Sequence, residues 1–280
     1  MASKDKNNNE NQGAEMSFLD HIEVLRWHLV RSAVAIVLAS IAVFIYKDIV
    51  VDDIILGPRN KDFLTYRAFC ALSHWIGAGD SMCFGEASFK LVNPDMSGQF
   101  TLHIWISIVG GLILTFPYVL WEMWRFIKPA LHDREMKPLR GFVLYTSLLF
   151  ILGVLFSYYL VAPLSINFLG NYELSDKIEN FINVNSYIST ITTLTLACGI
   201  VFELPIIIYF LTLMGLMSAQ FMRKYRRHAV VIILIIAAIV TPSPDISSQV
   251  LVAIPLYGLY ELSIVVSIYA ERRSKLKKVA

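Results

Sequence analysis

The sequence has few charged residues for a chain of its length. Asp, Glu, Lys and Arg make up 16% of the 280 residues, whereas soluble proteins average about 25%. Hydrophobic residues make up 56%, and the mean hydropathy is +0.59. This balance excludes an ordinary water-soluble domain. We therefore expect an all-α polytopic membrane protein whose apolar side chains face lipid as well as a core.

The sequence also lacks the motifs of soluble enzymes and nucleotide-binding proteins. It contains no Gly-rich phosphate loop, no His-Glu-x-x-His and no Gly-x-Ser-x-Gly. His21-Ile22-Glu23 has the first half of a zinc deaminase signature, but the cysteine pair that would complete it is missing. The six histidines show no ligand spacing. We therefore expect that the protein is not an enzyme and that it binds no cofactor, no metal and no nucleic acid.

Cysteine is scarce, with three residues in the chain. Cys70 and Cys83 fall in one loop between apolar segments. An oxidising compartment would allow a disulfide between them, and two separate thiols fit the sequence equally well. Cys198 lies within an apolar segment and is interpreted as a small apolar residue.

Long uncharged windows predict where the chain crosses the membrane, since a crossing helix needs about 20 apolar residues. Six crossings are predicted, at about residues 29–46, 103–126, 141–162, 187–213, 228–240 and 248–270. Pro163 is expected to end the third of these helices. They belong to one transmembrane domain, residues 17–270, in which residues 47–102 form a long loop. Residues 1–16 are predicted to be a disordered polar tail, and residues 271–280 a basic cytoplasmic tail. An interfacial helix is expected to lead into the first crossing.

The fifth window is the shortest, and 10–14 apolar residues also suit a re-entrant or buried core helix. We interpret it as a crossing because basic residues precede it and also follow the sixth window, on one predicted side. These residues are Arg223, Lys224, Arg226 and Arg227, then Arg272, Arg273, Lys275, Lys277 and Lys278. Val230, Ile233 and Ala237 share one helical face of this window. We expect that face either to dock a partner's helix or to contact lipid.

The distribution of Lys and Arg predicts which side each loop faces. Placing both termini in the cytoplasm leaves six of the 24 basic residues on the opposite side, in agreement with the positive-inside rule. These six are Lys47, Arg59, Lys61, Arg67, Lys90 and Lys177. The sequence therefore predicts a multi-pass membrane protein with both termini in the cytoplasm and the loop 47–102 outside.

Several polar residues and prolines lie within or beside the apolar windows. Glu203 is near the middle of the fourth window, where a carboxyl group is costly unless it faces a cavity or finds a partner. In the turn before the sixth window, Asp245 is expected to cap a helix or to take part in recognition. Prolines are expected to stiffen the long loop or to bend helices; they are Pro58 in the loop and Pro117, Pro205 and Pro255 in helices.

Taken in order along the chain, a set of short motifs resembles the TatC family, the polytopic subunits of the twin-arginine protein translocase. The resemblance runs from about Phe18 to Ala270. Its markers are His21 through Arg26, Gly57-Pro58, Phe126 through Leu131 with Glu135, Phe202 through Pro205, Thr241 through Gln249, and Ala253 through Tyr257. Each motif is weak alone, but their order on the predicted spans makes the resemblance specific.

The resemblance implies a concave, glove-like bundle of six helices that binds the twin-arginine signal peptides of folded proteins at its cytoplasmic face. It also implies association with single-span TatA/TatB-type subunits, a receptor oligomer in membrane lipid, and export that depends on the proton-motive force. Carboxylates suit this task, because the planar guanidinium group of arginine matches a bidentate acceptor.

For signal-peptide binding, the resemblance points first to Glu135, with the aromatic Phe126 in the same motif. A solvated loop charge is the alternative for Glu135. The second carboxylate is Glu23, close to Arg26, although the family often carries its recognition glutamate one position later, where this chain has Val24. One residue turns a helical side chain by about 100°. Glu23 therefore replaces that glutamate only if the helix rotates, and a simple exposed charge is the alternative.

For Glu203 the resemblance implies a polar site, together with Gln249, at which a partner's helix docks. A structural hydrogen bond and a proton-linked switch are the alternatives. The rival function is a proton-coupled small-molecule transporter, in which Glu203 and Glu122 would relay protons, and a purely structural scaffold is a third reading. No internal repeat is visible in the sequence, which weighs against the transporter.

Overall fold

The computed structural model describes residues 18–77, 79–83, 89–128, 141–172, 175, 181–241 and 246–279. Within these ranges the chain is mostly α-helical, with one short sheet of two strands. The predicted class, a helical polytopic protein, is confirmed. The predicted polar tail, residues 1–16, lies outside the described residues.

The bounds of the regular elements are as follows. The α-helices are α1 Phe18–Ile45, α2 Leu64–Ile76, α3 Gly98–Ile127, α4 Phe142–Phe156, α5 Ala162–Asn171, α6 Val184–Val201, α7 Leu204–Leu213, α8 Ala219–Lys224, α9 Arg226–Val240 and α10 Ile246–Val279. The strands are β1 Lys90–Val92 and β2 Phe181–Asn183, which pair in parallel with Lys90 opposite Phe181.

The expected interfacial helix and the first predicted span form one continuous helix, α1, of 28 residues. Its sequence contains neither glycine nor proline, so no residue in it favours a break before the apolar window. α1 packs along α3, and this pair of long helices carries the first part of the candidate site.

The long loop, predicted at residues 47–102, has regular structure over much of its described length. It contains a π-helical turn at Ile49–Ile55, a 3-10 turn at Gly57–Arg59, α2 and β1. Pro58 is buried in the 3-10 turn. The hydroxyl of Tyr66 lies 2.8 Å from the carbonyl oxygen of Pro58 and 2.9 Å from that of Pro163. Burial raises the pKa of Tyr66 above its usual value, so this hydroxyl stays a neutral donor that joins the loop to α5.

Cys70 on α2 and Cys83 form a disulfide, which is one of the two states that the sequence left open. Cys198 on α6 is a free thiol with 2% exposure. It packs in the core as a small apolar side chain.

The helix that begins with α4 does not end at Pro163, where the third predicted span has its exit. A π-helical stretch, Ser157–Val161, joins α4 to α5, and the helix continues to Asn171. Pro163 lies in the first turn of α5 and has no amide hydrogen to donate to the preceding turn. Local π geometry accommodates such a missing bond in membrane helices. The prediction that this proline ends the helix is therefore wrong.

The fourth predicted span, residues 187–213, consists of two helices. α6 ends at Val201 and α7 begins at Leu204, with Pro205 in the first turn of α7. Proline fits the start of a helix but clashes with a turn that precedes it, so the regular helix is interrupted at this proline, and the bend expected there stays a prediction. Pro117 and Pro255 lie inside α3 and α10, which continue through them, and the bends expected there stay predictions.

Among the described residues, five helices are long and apolar enough to cross a membrane. They are Ile22–Ile45, Gly98–Ile127, Phe142–Asn171, Val184–Leu213 and Val252–Glu271. α9, the fifth predicted crossing, has 15 residues, which give about 22 Å of helix against about 30 Å of hydrocarbon. The chain is a multi-pass membrane protein, and the crossing by α9 stays a prediction.

α10 is longer than the last predicted span. It runs for 34 residues, so the helix continues into the predicted basic tail, residues 271–280, as far as Val279. Glu271 Oε1 accepts a hydrogen bond from the backbone N–H of Ala219 at 2.7 Å. This contact fixes α10 to the start of α8.

The core is centred on α6. Leu194 and Ile191 of this helix have 1% and 3% exposure. α4 approaches α6 closely at Gly153, where a Cβ atom would lie 2.7 Å from the carbonyl oxygen of Cys198 and 2.9 Å from the Cα of Gly199. This contact leaves no room for a side chain at Gly153.

The helical face predicted to dock a partner or contact lipid is largely inside the protein. Ile233 and Ala237 on α9 have 7% and 0% exposure and belong to the core, while Val230 is 39% exposed. The expectation for this face is therefore wrong at its two buried residues. The opposite side of α9 carries the exposed apolar residues Val231, Ile232, Ile235 and Ile239.

Candidate functional site

A buried polar cluster joins α1 to α3. Glu122 on α3 has 1% exposure, and Nδ1 of His28 on α1 donates a hydrogen bond to its Oε2. The hydroxyl of Tyr118 donates to Glu122 Oε1 at 3.1 Å, and Nη1 of Arg125 lies 3.4 Å from the same oxygen. A buried carboxylate is costly without such partners. These four residues, the Glu122 cluster, therefore fix the position of α1 against α3.

Phe126, a predicted site residue, is attached to the Glu122 cluster. Its half-buried ring meets the ring of His28 edge to face, with 6.2 Å between centroids. The guanidinium carbon of Arg125 lies 4.9 Å from the ring centroid of Trp121, which orients the arginine beside the cluster. The end of α3 thus presents a partly exposed aromatic surface, and the polar contacts of the Glu122 cluster fix its position.

Glu23 and Arg26 lie on α1, close before His28 in the chain. Their side chains are each 67% exposed, and the charged groups are 3.8 Å apart. An exposed pair at this distance is worth about 1 kcal/mol or less, so both side chains can turn to an incoming ligand at little cost. Val24, which stands where the family often has glutamate, is 36% exposed.

Two predicted site residues lie outside the described part of the chain. Glu135 belongs to residues 129–140, and Asp245 to residues 242–245. The structure places Phe126 and His28 in ring contact and puts Glu23 and Arg26 on the same helix as His28. The role of Glu135 beside them stays a prediction.

His28 was missed by the sequence analysis, and Glu122 was assigned only to the rival transporter. The available signal was a histidine one residue before the first predicted apolar window, at residues 29–46. Polar residues at such a position commonly face a partner inside the bundle. Nothing in the sequence, however, says which carboxylate of another helix that partner is.

Glu203 is the second buried carboxyl group, with 9% exposure. It lies in the break between α6 and α7, where its carbonyl oxygen accepts hydrogen bonds from the backbone N–H groups of Ile206 and Ile207 at 3.0 and 3.1 Å. Its Oε1 is buried without a hydrogen-bond partner among the described residues. The proline-induced break thus holds an unsatisfied carboxyl oxygen inside the helical bundle.

Gln249, predicted to share a polar site with Glu203, makes a contact of its own. Its Nε2 donates to the carbonyl oxygen of Leu234 at 3.0 Å. This bond joins the start of α10 to α9. No hydrogen bond that the structure records joins Gln249 to Glu203 in the described part of the chain.

The comparison with protein families identifies the chain. The family model for the Sec-independent protein translocase protein TatC matches residues 20–255. The chain belongs to the TatC family. The matched region includes Glu23, Phe126, Glu203 and Gln249, and it contains the whole of the Glu122 cluster.

Curated relatives cover nearly the whole chain. The TatC protein of Blattabacterium sp. subsp. Periplaneta americana (strain BPLAN) is 42% identical over 265 residues, which are 94% of this chain and 99% of that protein. TatC of Deinococcus radiodurans is 32% identical over 91% of this chain and 86% of its own length. TatCy of Bacillus subtilis (strain 168) is 30% identical over 95% of this chain and 94% of its own length.

Two solved structures share the fold. A crystal structure of the twin-arginine translocase receptor TatC aligns with a TM-score of 0.63 at 30% identity, over 90% of this chain and 99% of that one. A second crystal structure, described as the same receptor in DDM, aligns with a TM-score of 0.65 at 32% identity, over 88% of this chain and 98% of that one. The family is one of protein translocase components, and the predicted lack of enzymatic activity stays a prediction.

Proposed function

We propose that this chain is the core receptor subunit of a twin-arginine translocase and binds the signal peptides of folded cargo proteins at its cytoplasmic face. Two observations carry the proposal. The family match extends over residues 20–255, and two structures described as twin-arginine translocase receptors have this fold over 90% and 88% of the chain.

In this proposal Glu135 and Glu23 bind the two guanidinium groups of the signal peptide. Carboxylates favour arginine over lysine because a planar, forked donor makes two parallel hydrogen bonds where an ammonium group makes a point contact. Glu23 supports this role by its exposure, since its 3.8 Å pair with Arg26 costs little to exchange for a peptide arginine. Phe126 packs against apolar residues of the peptide, and Arg26 holds Glu23 in place while the site is empty.

The Glu122 cluster has a different role from Glu23 in the proposal. Glu122 is buried and already bonded to His28, Tyr118 and Arg125. It is therefore a positioning residue, which keeps α1 and the end of α3 together so that Glu23 and Phe126 belong to one surface.

The proposal includes the membrane arrangement and the partners. The chain crosses the bacterial inner membrane six times with both termini in the cytoplasm, and it assembles as an oligomer with single-span TatA/TatB-type subunits for export driven by the proton-motive force. Glu203, whose buried Oε1 has no hydrogen-bond partner in the described part of the chain, and Gln249 supply polar groups for a partner's helix. Exposed Val231 and Ile235 on α9 support an apolar docking face.

Peptide binding to the protein in nanodiscs tests the proposed function. A twin-arginine signal peptide should bind more tightly than a twin-lysine peptide of otherwise identical sequence. Glu135→Gln should weaken binding of the arginine peptide by about 1.5–3 kcal/mol, the worth of a hydrogen bond to a charged group, which is about tenfold or more.

The matched control is Asp62→Asn, which also removes one carboxylate charge but lies on the predicted external loop, where Asp62 is exposed. It should leave peptide affinity unchanged. If the two peptides bind equally well to the parent protein, recognition of paired arginines does not lie in this chain, and the scaffold or transporter readings return.

A further inference from the structure

The disulfide region of the long loop contains a cluster of metal-binding side chains. Nδ1 of His74 lies 3.8 Å from Sγ of Cys70 and 3.9 Å from Sγ of Cys83. The ligand atoms of these three residues all lie within 4.8 Å of one another. Nε2 of His74 is 3.2 Å from Oδ1 of Asp80, and that oxygen also lies 3.7 Å from Sγ of Cys83.

The local fold creates this arrangement from a short stretch of chain. Cys70 and His74 are four residues apart on α2 and therefore share one helical face. α2 is followed by Gly77, whose φ of +79° is a left-handed conformation that suits glycine. The hydroxyl of Ser73 donates to the carbonyl oxygen of Gly79 at 2.6 Å. The chain then folds back over α2, which brings Asp80 and Cys83 to the ring of His74.

We propose that, in its dithiol form, the chain binds one zinc-class cation through Cys70, Cys83 and Nδ1 of His74, with Asp80 as the carboxylate that orients the histidine. Two thiolates and an imidazole with an open fourth position are a known zinc ligand set. With metal–sulfur distances of about 2.3 Å and metal–nitrogen distances of about 2.0–2.1 Å, tetrahedral ligand atoms lie about 3.5–3.8 Å apart. The sulfur–nitrogen separations are already close to this range.

The contact of Asp80 with His74 indicates that two cysteines and a histidine have not simply come close together by chance. A metal-bound histidine almost always donates its second ring N–H to a carboxylate or carbonyl, which fixes the tautomer and the ring orientation. Here the carboxylate contacts Nε2 of His74, whereas the two sulfurs contact Nδ1, so the two ring nitrogens have different partners. Nδ1 also lies 2.8 Å from the carbonyl oxygen of Cys70, and it gives up that contact when it takes the metal.

The disulfide and the metal exclude each other, because both need the same two sulfur atoms. The chain is synthesised with both cysteines as thiols, so the metal-binding form requires no reductant in the cell. Binding exchanges the two thiol protons for the cation. The cluster is reached from water, since the side chains of His74 and Asp80 are 58% and 87% exposed.

The test uses the full chain in detergent with Cys198→Ala, so that Cys70 and Cys83 are its only thiols. The disulfide is reduced with a phosphine, the phosphine is removed without air, and Cd(II) alone is titrated while the thiolate-to-cadmium absorption is recorded. One cadmium ion per chain should bind, and Zn(II) alone should displace it. Oxidised protein should bind none at this cluster.

Variants that keep both cysteines distinguish metal binding by Cys70, Cys83 and His74 together from binding by the two thiols alone. His74→Ala should weaken cadmium binding more than Asp80→Asn, which should cost about 10–100-fold in affinity. His228→Ala, which removes an exposed histidine of α9, should change nothing. Absence of uptake by reduced protein overturns the proposal. Equal cadmium affinity in the parent and in His74→Ala also overturns the proposal, because the two thiols alone would then bind the metal.

Discussion

The two buried carboxyl groups show how one residue type serves two purposes in this protein. Glu122 has hydrogen-bond donors from His28, Tyr118 and Arg125, so its charge is compensated within the chain. Glu203 has an Oε1 without a partner among the described residues. The first arrangement stabilises the fold, whereas the second leaves a carboxyl oxygen for which we proposed a partner's helix as the bonding group.

The pairing of His28 with Glu122 predicts a measurable coupling. His28→Ala removes a donor from a buried carboxylate and should lower the free energy of unfolding in detergent by about 1–3 kcal/mol. In a Glu122→Gln background the same change should cost less, because a neutral amide tolerates the loss better than a charge. The double-mutant cycle should give a coupling of about 0.5–3 kcal/mol.

His228→Ala is the control for this cycle and should stay within about 0.5 kcal/mol of the parent, as exposed substitutions do. Equal costs of His28→Ala in both backgrounds would contradict the pairing. Such a result would leave only the packing of His28 against Phe126.

At the scale of helices, the close contact between α4 and α6 predicts a sharp difference between two glycines. Gly153→Ala would place a Cβ 2.7 Å from a backbone oxygen of α6, and overpacking of this kind costs about 1–3 kcal/mol. Gly258→Ala on α10 meets nothing within 4 Å and should be neutral or stabilising by about 1 kcal/mol from helix propensity alone. Thermal unfolding of both variants in detergent measures the difference, and equal melting temperatures would show that α4 and α6 separate freely.

The sequence predicted the helices better than their ends and interruptions. Length and apolarity revealed the membrane spans because lipid forces backbone groups into helices. Pro163 and Pro205 look alike in sequence, yet the helix continues through the first and breaks at the second. That outcome depends on whether neighbouring geometry, such as the π-helical stretch Ser157–Val161, can absorb the missing hydrogen bond.

Residues of the candidate site could be predicted only where the neighbouring sequence alone indicates their role. The apolar surroundings of Glu203 marked it as costly in lipid, and the motif around Phe126 marked the end of α3. His28 and Glu122 lie 94 residues apart in the chain, so their pairing depends on how α1 packs on α3. Similarly, Cys70 and His74 share a helical face by spacing alone, but the approach of Asp80 and Cys83 depends on the turn after α2.

On the scale of the whole molecule, α9 decides on which side of the membrane the C-terminus lies. Among the residues that the structure describes, five helices have the length and hydropathy of spans, and five crossings would put the two termini on opposite sides. α9 is about 8 Å shorter than the hydrocarbon layer, and mismatch costs a fraction of a kcal/mol per Å. Exposed Ile232, Ile235 and Ile239 offset this cost, since each apolar residue favours insertion by about 0.3–0.6 kcal/mol.

Basic residues that precede α9 and follow the apolar part of α10 support the crossing by α9. Arg226 at the start of α9 is fixed to α10 by a 2.6 Å bond from its Nη2 to Glu261 Oε2, so the charged ends of these helices lie on one side. The positive-inside rule then predicts that this side, and both termini, face the cytoplasm.

We therefore expect alkaline phosphatase fused after Ser175 to be active, because the segment between α5 and α6 would face outward. The same enzyme fused at Ala280 should be inactive, and a green fluorescent protein there should fluoresce. Active phosphatase at Ala280 would mean that α9 stays on the cytoplasmic side as a re-entrant or surface helix, and the six-crossing arrangement would be wrong.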